Sequence, residues 1–210
     1  MTDVAAVVFD LGQVLVRWDP YLPYEGRLAR DQVEQYFADV DFPTFNHRQD
    51  AGRPWAEARA EVLARFPHHV DAFDLYVEHF ADSLPGPVPG SERLVRDLVD
   101  AGVRVLGLTN WSAETFHHAE PAAPAIGLLE DVLVSGREGL AKPDPRIFEL
   151  LVERFDLDPG ATVYTDDNAA NVAAAAAAGL VALEFRSAAR LRADLVARGV
   201  PVPEAGVAAT

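Results

Sequence analysis

An α/β fold, a parallel sheet with helices on both faces and a helical insertion after the first strand, is predicted by three features of the chain. The first is the run Ala5-Ala6-Val7-Val8-Phe9, an apolar stretch closed by Asp10-Leu11-Gly12, which reads as a buried parallel strand. The second is regular alternation, from Ser91 onward, of short β-branched runs with helical patterns, the signature of βαβ units. The third is a long helical stretch with no convincing strand between Pro20 and Pro85. It separates the first strand from the rest of the sheet.

Taken in order, the stretch Gly12-Gln13-Val14-Leu15-Val16 after the first strand continues apolar until Arg17-Trp18-Asp19-Pro20, where Asp-Pro breaks it. Asp31 is placed to cap a helix carrying Val33, Tyr36, Phe37 and Val40 on one face. Pro54 suits the first position of a second helix, with Trp55, Ala58, Val62, Leu63 and Phe66 at helical spacing. A third is predicted from Val70 to Leu84, and Pro85-Gly86-Pro87-Val88-Pro89-Gly90 then reads as a linker. Ser91 is expected to cap the helix carrying Leu94, Leu98 and Val99, which Gly102 stops. Strands follow at Val103 to Leu108, Val132 to Val134, Val163 to Thr165 and Leu180 to Phe185. Between them lie a proline-containing irregular stretch, a helix capped by Asp144 and an alanine-rich helix from Asn168 to Gly179. A last helix runs to about Arg198, and the tail beyond Gly199 is expected to fray. The domain expectation is a core of residues 1–16 and 87–210, with 17–86 as a helical cap.

Bulk properties narrow the function. The chain has 210 residues, enough for a full core, and a formal net charge of −15. That charge argues against nucleic acid or an anionic membrane as partner. It leaves a small phosphorylated substrate open, because only the local field of the site matters there. With no cysteine, disulfides, zinc–thiolate centres and cysteine nucleophiles are excluded. No apolar run approaches a membrane span and no basic leader precedes the first strand, so a cytoplasmic protein, monomer or homodimer, is expected.

Polar residues gather just past the strand ends. Asp10 could be a turn residue or a nucleophile. Thr109-Asn110 could cap a helix or bind phosphate oxygens. Lys142 lies in Ala141-Lys142-Pro143-Asp144-Pro145, a stiff connection that would hold its ammonium in place. Asp166-Asp167 are adjacent carboxylates, which make sense around a hard cation such as Mg²⁺. Trp18, Trp55, Phe45 and His47 are candidates to line a cleft, or simply core aromatics. His117-His118 reads as a solvated pair rather than a metal site, since neighbours on a helix diverge.

In this order, Phe9-Asp10-Leu11-Gly12-Gln13-Val14-Leu15, Leu108-Thr109-Asn110, Lys142-Pro143 and Thr165-Asp166-Asp167-Asn168 with Asn171 resemble the four motifs of the haloacid dehalogenase-like (HAD) hydrolases. The opening and closing motifs resemble the glucose-1-phosphatase-like members, related to the N-terminal phosphatase domain of epoxide hydrolases. The resemblance implies a Rossmann-like core with a cap. It also implies a Mg²⁺-dependent phosphatase acting on a small phosphorylated metabolite, a sugar phosphate foremost, through an aspartyl-phosphate. By the same resemblance Asp10 is the nucleophile. Thr109 and the Asn110 N–H hold phosphoryl oxygens, and Lys142 compensates charge. Asp10, the Gly12 carbonyl and Asp167 hold the metal, with Asp166 supporting it from behind.

One departure stands out. Most phosphatases of this superfamily carry a general acid two residues after the nucleophile, and here that position is Gly12. Asp19, or a water, could substitute. Two other readings follow from the same glycine. One is a 2-haloacid dehalogenase using Asp10 without metal, and the other is a catalytically weak phosphate-binding module.

Overall fold

A computed structural model describes residues 4–202. Its central sheet contains β1 (Ala6–Phe9), β4 (Arg104–Thr109), β5 (Val132–Val134), β6 (Thr162–Asp166) and β7 (Val181–Glu184). All neighbours are parallel, in the order β5-β4-β1-β6-β7. β1 is therefore the middle strand, and parallelism brings every strand's carboxyl end to one edge. A two-residue antiparallel pair, β2 (Val16–Arg17) with β3 (Gly86–Pro87), closes the base of the insertion.

Side chains alternate across the pleat, and both faces are covered. Ala6 and Val8 join Leu106, Leu108, Leu133 and Tyr164 beneath α8 (Pro145–Arg154) and α9 (Ala169–Ala177). Burying Ile147, Phe148 and Leu151 of α8 there contributes roughly 1.5–3 kcal/mol each. Val7 and Phe9 face the other way with Val105 and Val163. That cluster also holds α5 (Ser91–Asp100), α10 (Ala188–Val196) and the aromatic interior of the insertion. The short α6 (Ala119–Ala122) and α7 (Ser135–Glu138) flank β5 in the chain.

The insertion contains α1 (Arg30–Val40), α2 (Phe42–Asp50), α3 (Trp55–Arg65) and α4 (Val70–Glu78). Three helices were expected here; α2 is the extra one. Asp41 adopts a left-handed φ of 51°, which an aspartate tolerates, and this lets a second helix start with only that one residue between it and the first. The predicted third helix is α4 followed by a separate 3₁₀ turn at Phe80–Ser83.

Three expected caps shift by one or two positions. Ala29, not Asp31, precedes α1, and its N–H donates to Gln32 Oε1 at 3.3 Å. Pro54 is the residue before α3 rather than its first. Gly90 precedes α5, freeing Ser91 to donate its hydroxyl to the Val14 carbonyl at 2.6 Å. Asp144 and Asn168 do cap α8 and α9, accepting from the N–H groups of Arg146 and Ala170. The tail expected to fray lies largely outside the described residues.

The insertion is seated on the sheet edge by close backbone contact. Gly52 has a φ of +96°, and a Cβ there would stand 3.2 Å from the Gly136 carbonyl oxygen and 3.3 Å from Gly139 Cα. A Cβ on Gly136 would in turn lie 2.6 Å from both Ala113 N and Trp111 O. At Gly136 only hydrogen fits, and at Gly52 the positive φ together with the tight contact favours glycine. The segment joining α2 to α3 is thereby pressed against the loops that leave β4 and β5.

Candidate active site

Asp10 follows β1, with β4 on one side and β6 on the other, so the carboxyl ends of three adjacent strands meet around it. Lys142 enters from the loop before α8 and is only 1% exposed. Its Nζ lies 2.9 Å from Asp10 Oδ1 and 2.8 Å from Asp166 Oδ2, and it donates to the Leu108 carbonyl at 3.0 Å. One ammonium is therefore shared between two buried carboxylates.

Asp166 is fully buried and saturated with donors. Beyond Lys142 it accepts from the Tyr164 hydroxyl, from Asn168 N at 2.8 Å and from Asn171 Nδ2 at 3.0 and 3.1 Å. Asp10 is different. Leu11 N donates to its Oδ1 at 2.6 Å, the same oxygen that faces Lys142, and among the described residues none donates to Oδ2. One oxygen anchors the side chain and the other is left for chemistry.

Electrostatics follow from this arrangement. Burial pushes the Asp10 carboxyl up to about 7, with Lys142 pulling against it. Burial also opposes ionisation of Asp166, but Lys142 and the surrounding donors outweigh it and hold that group below the ordinary carboxylate range. Lys142 is disfavoured as a cation by burial, yet Asp10 and Asp166 raise it further. Asp167 is more exposed, and burial and neighbouring Asp166 raise it.

Carboxylate oxygens of Asp10, Asp166 and Asp167 all lie within 4.8 Å of one another. The Asp10 and Asp167 carboxylates offer hard oxygen donors that fit a Mg²⁺-type cation, with Asp166, already filled by protein donors, behind them. Thr109 ends β4, 1% exposed. The phosphate role expected of Asn110 falls on its backbone N–H, and its side chain is engaged within the protein. Its Oδ1 accepts from Lys142 N at 2.8 Å and its Nδ2 donates to Lys142 O at 2.9 Å, clamping the lysine loop to β4. Only its backbone N–H is left for a ligand.

A cavity of about 100 Å³ opens between the sheet edge and the insertion. Gly12, Asn110, Trp111, Ser112 and Thr115 line it from below, and Trp18, Asn46, Asp50, Trp55, Tyr76 and Phe80 from above. Trp18 and Trp55 thus line the cleft as anticipated. Phe45 is core, and His47 faces a neighbouring groove instead. Asp19 does not reach the cavity; its carboxylate accepts from Tyr21 N at 2.9 Å. His117 is exposed and His118 packs on Phe80, so the pair has no part in the site.

Sequence reasoning overlooked Asp50. Burial, reinforced by the nearby Asp10 charge and opposed by Lys142 and a Ser112 N–H, pushes its carboxyl up to about 7. An acid as the last residue of a helix is itself a signal, because its charged form meets the negative end of the dipole. Its folded value lies above the ordinary 3.8, so stability from keeping it neutral is present at low pH and lost as pH rises through 7. Asp50→Asn should therefore be more stable than the native chain at pH 8 by up to about 4 kcal/mol, and close to it near pH 4. Urea unfolding at both pH values checks this, and an equal difference at both would count against it.

Sheet, insertion and carboxylate cluster together define a capped α/β fold with an acidic site at the carboxyl edge of its sheet. The chain belongs to the haloacid dehalogenase-like hydrolases, whose family model matches residues 4–179. It is 25% identical over 190 residues to the sesquiterpene phosphatase astK of Aspergillus oryzae, covering 88% of this chain and 91% of that one. It is 45% identical over 196 residues to acyl-CoA dehydrogenase family member 10 of mouse, covering 83% of this chain but 17% of that much longer protein. Among solved structures it resembles a HAD family enzyme from Bacteroides thetaiotaomicron, with a TM-score of 0.73, 21% identity and coverage of 88% and 95%. That enzyme has also been solved with magnesium and inorganic phosphate. Among the described residues, no helix is long and apolar enough to cross a membrane.

Proposed function

We propose that this chain is a Mg²⁺-dependent phosphatase of small phosphomonoesters, sugar phosphates foremost, working through an aspartyl-phosphate on Asp10. The observation that carries this reading is the division of labour at Asp10: Oδ1 is held by Leu11 N and Lys142, while among the described residues none donates to Oδ2. In this reading Oδ2 attacks phosphorus, the bond from phosphorus to the ester oxygen breaks, and the leaving oxygen takes the electron pair and then a proton. Water next attacks the aspartyl-phosphate, releasing inorganic phosphate and restoring the carboxylate.

Asp10, the Gly12 carbonyl and Asp167 would hold the cation, and Asp166, its lone pairs already filled by protein donors, would position Lys142 and the loop carrying Asp167. The cation would supply neutralisation of charge between an anionic nucleophile and an anionic substrate. Lys142 keeps Asp10 aimed and offsets the charge that builds on the phosphoryl group. Thr109 and the Asn110 N–H, at the end of β4, are assigned to the phosphoryl oxygens. Residues 17–86 act as the cap that closes the cavity and selects the leaving group.

The test is phosphate release from p-nitrophenyl phosphate with Mg²⁺ and with EDTA. Nitrophenolate departs without a proton, so the glycine at position 12 cannot hide a competent site. Turnover with Mg²⁺, falling by roughly 10² or more on chelation, is the expected result. Turnover in neither condition would overturn the phosphatase reading and direct attention to halide release from 2-haloacids.

A further inference from the structure

We propose that Asp50, carried in by the insertion, is the proton donor to the leaving group, standing in for the acid that Gly12 does not supply. The inference rests on the phosphatase reading and adds a residue to it.

Four observations carry it. First, Gly12 lines the cavity, and a Cβ built there meets nothing within 4 Å. The space an acid would occupy next to Asp10 is open, and a proton must come from elsewhere on its walls. Second, of the residues lining that cavity, Asp50 is the sole carboxylic acid. The alternatives are amides, hydroxyls, indoles and the Tyr76 phenol, whose value burial drives far upward, so none matches a transfer near neutral pH.

Third, Asp50 is fixed in place from several directions. Ser135 Oγ donates to the Asp50 carbonyl at 2.6 Å and itself accepts from Trp111 N at 2.9 Å. Ser112 N–H and Asn46 Nδ2, the latter at 3.3 Å, donate to its carboxylate, and the tight seat of Gly52 on Gly136 and Gly139 anchors the following turn. All these partners except Asn46 belong to the sheet edge, so Asp50 is registered to the nucleophile's side of the cleft, although it comes from the insertion. Fourth, its surroundings favour a neutral acid: aromatic walls, a helix carboxyl end and the Asp10 charge all disfavour the anion, while Lys142 keeps it within reach of ionisation.

The step balances. As the bond from phosphorus to the ester oxygen breaks, the Asp50 proton passes to that oxygen and an alcohol departs. Asp50, now a carboxylate, takes the proton from the water that attacks the aspartyl-phosphate and returns to its starting state.

A leaving-group series tests this: p-nitrophenyl, phenyl and benzyl phosphate, with kcat/KM measured for the native enzyme and Asp50→Asn. Asparagine keeps the size and can still accept from Ser112, so the cavity is preserved. The expected result is a loss that grows with the basicity of the leaving oxygen, a few-fold on p-nitrophenyl phosphate and roughly 10²-fold or more on benzyl phosphate. Adding Gly12→Asp to Asp50→Asn should recover part of the benzyl activity, because position 12 has room for the side chain. A loss of equal size on all three esters would make Asp50 a structural residue and overturn the inference, as would no loss at all. An inactive native enzyme across the series would instead overturn the phosphatase reading on which the inference stands.

Discussion

Asp10→Asn should reduce phosphate release from p-nitrophenyl phosphate by roughly 10⁴-fold or more, with the fold intact. The side chain keeps its shape, and the amide oxygen can still accept from Leu11 N. Lys142 retains Asp166 and the Leu108 carbonyl. What disappears is the nucleophilic oxygen, and nothing else lining the site is placed to replace it. The neutral amide also removes a carboxyl that burial raises to about 7, so the variant should be no less stable than the native chain at pH 8. Circular dichroism with a steady-state assay checks both halves. Residual turnover within tenfold of native would remove Asp10 from the role of nucleophile.

Lys142→Met should have the largest effect on stability. It keeps the volume of a side chain that is 1% exposed while deleting the cation between Asp10 and Asp166. Two carboxylates would then share a dry site without a counter-charge, at a cost of about 3–5 kcal/mol at neutral pH. The sign with pH follows directly. Without Lys142 the Asp10 value, already above that of the unfolded chain, rises further, and that of Asp166 loses the charge that holds it down and rises too. The folded protein then holds protons more tightly, and stability lost at neutral pH returns as pH falls. Urea unfolding at pH 5 and pH 8 should show the deficit shrinking at the lower value. A deficit that is the same at both would mean that Lys142 acts through packing alone. Activity should fall in parallel at pH 7, because an uncompensated pair repels an anionic substrate.

Much of the centre was legible from residue order because its signals are local. An apolar run ending in an acid and a glycine specifies a strand end, and Pro143 and Pro145 stiffen the loop immediately after Lys142. Adjacent Asp166 and Asp167 announce a charge problem, which Lys142 meets at Asp166. Helix caps were less legible: Ala29 and Gly90 took positions assigned to Asp31 and Ser91. In one case the Gln32 side chain bonded the cap backbone, and in the other the serine hydroxyl was drawn to a carbonyl 77 residues away.

By itself, then, the chain determined the alternation of strands and helices, the insertion after the first strand, and the identities of Asp10, Lys142, Asp166 and Asp167. These follow from periodicity, turn chemistry and the expense of burying charge. Tertiary structure decided the lateral order that sets β1 between β4 and β6, so that one lysine could reach both acids. It alone drew Asp50 to the cavity, by hydrogen-bonding its carbonyl to Ser135, 85 residues on, and seating Gly52 against Gly136. Local spacing cannot encode such contacts, because they arise when separate segments meet to bury apolar surface and satisfy their backbone groups.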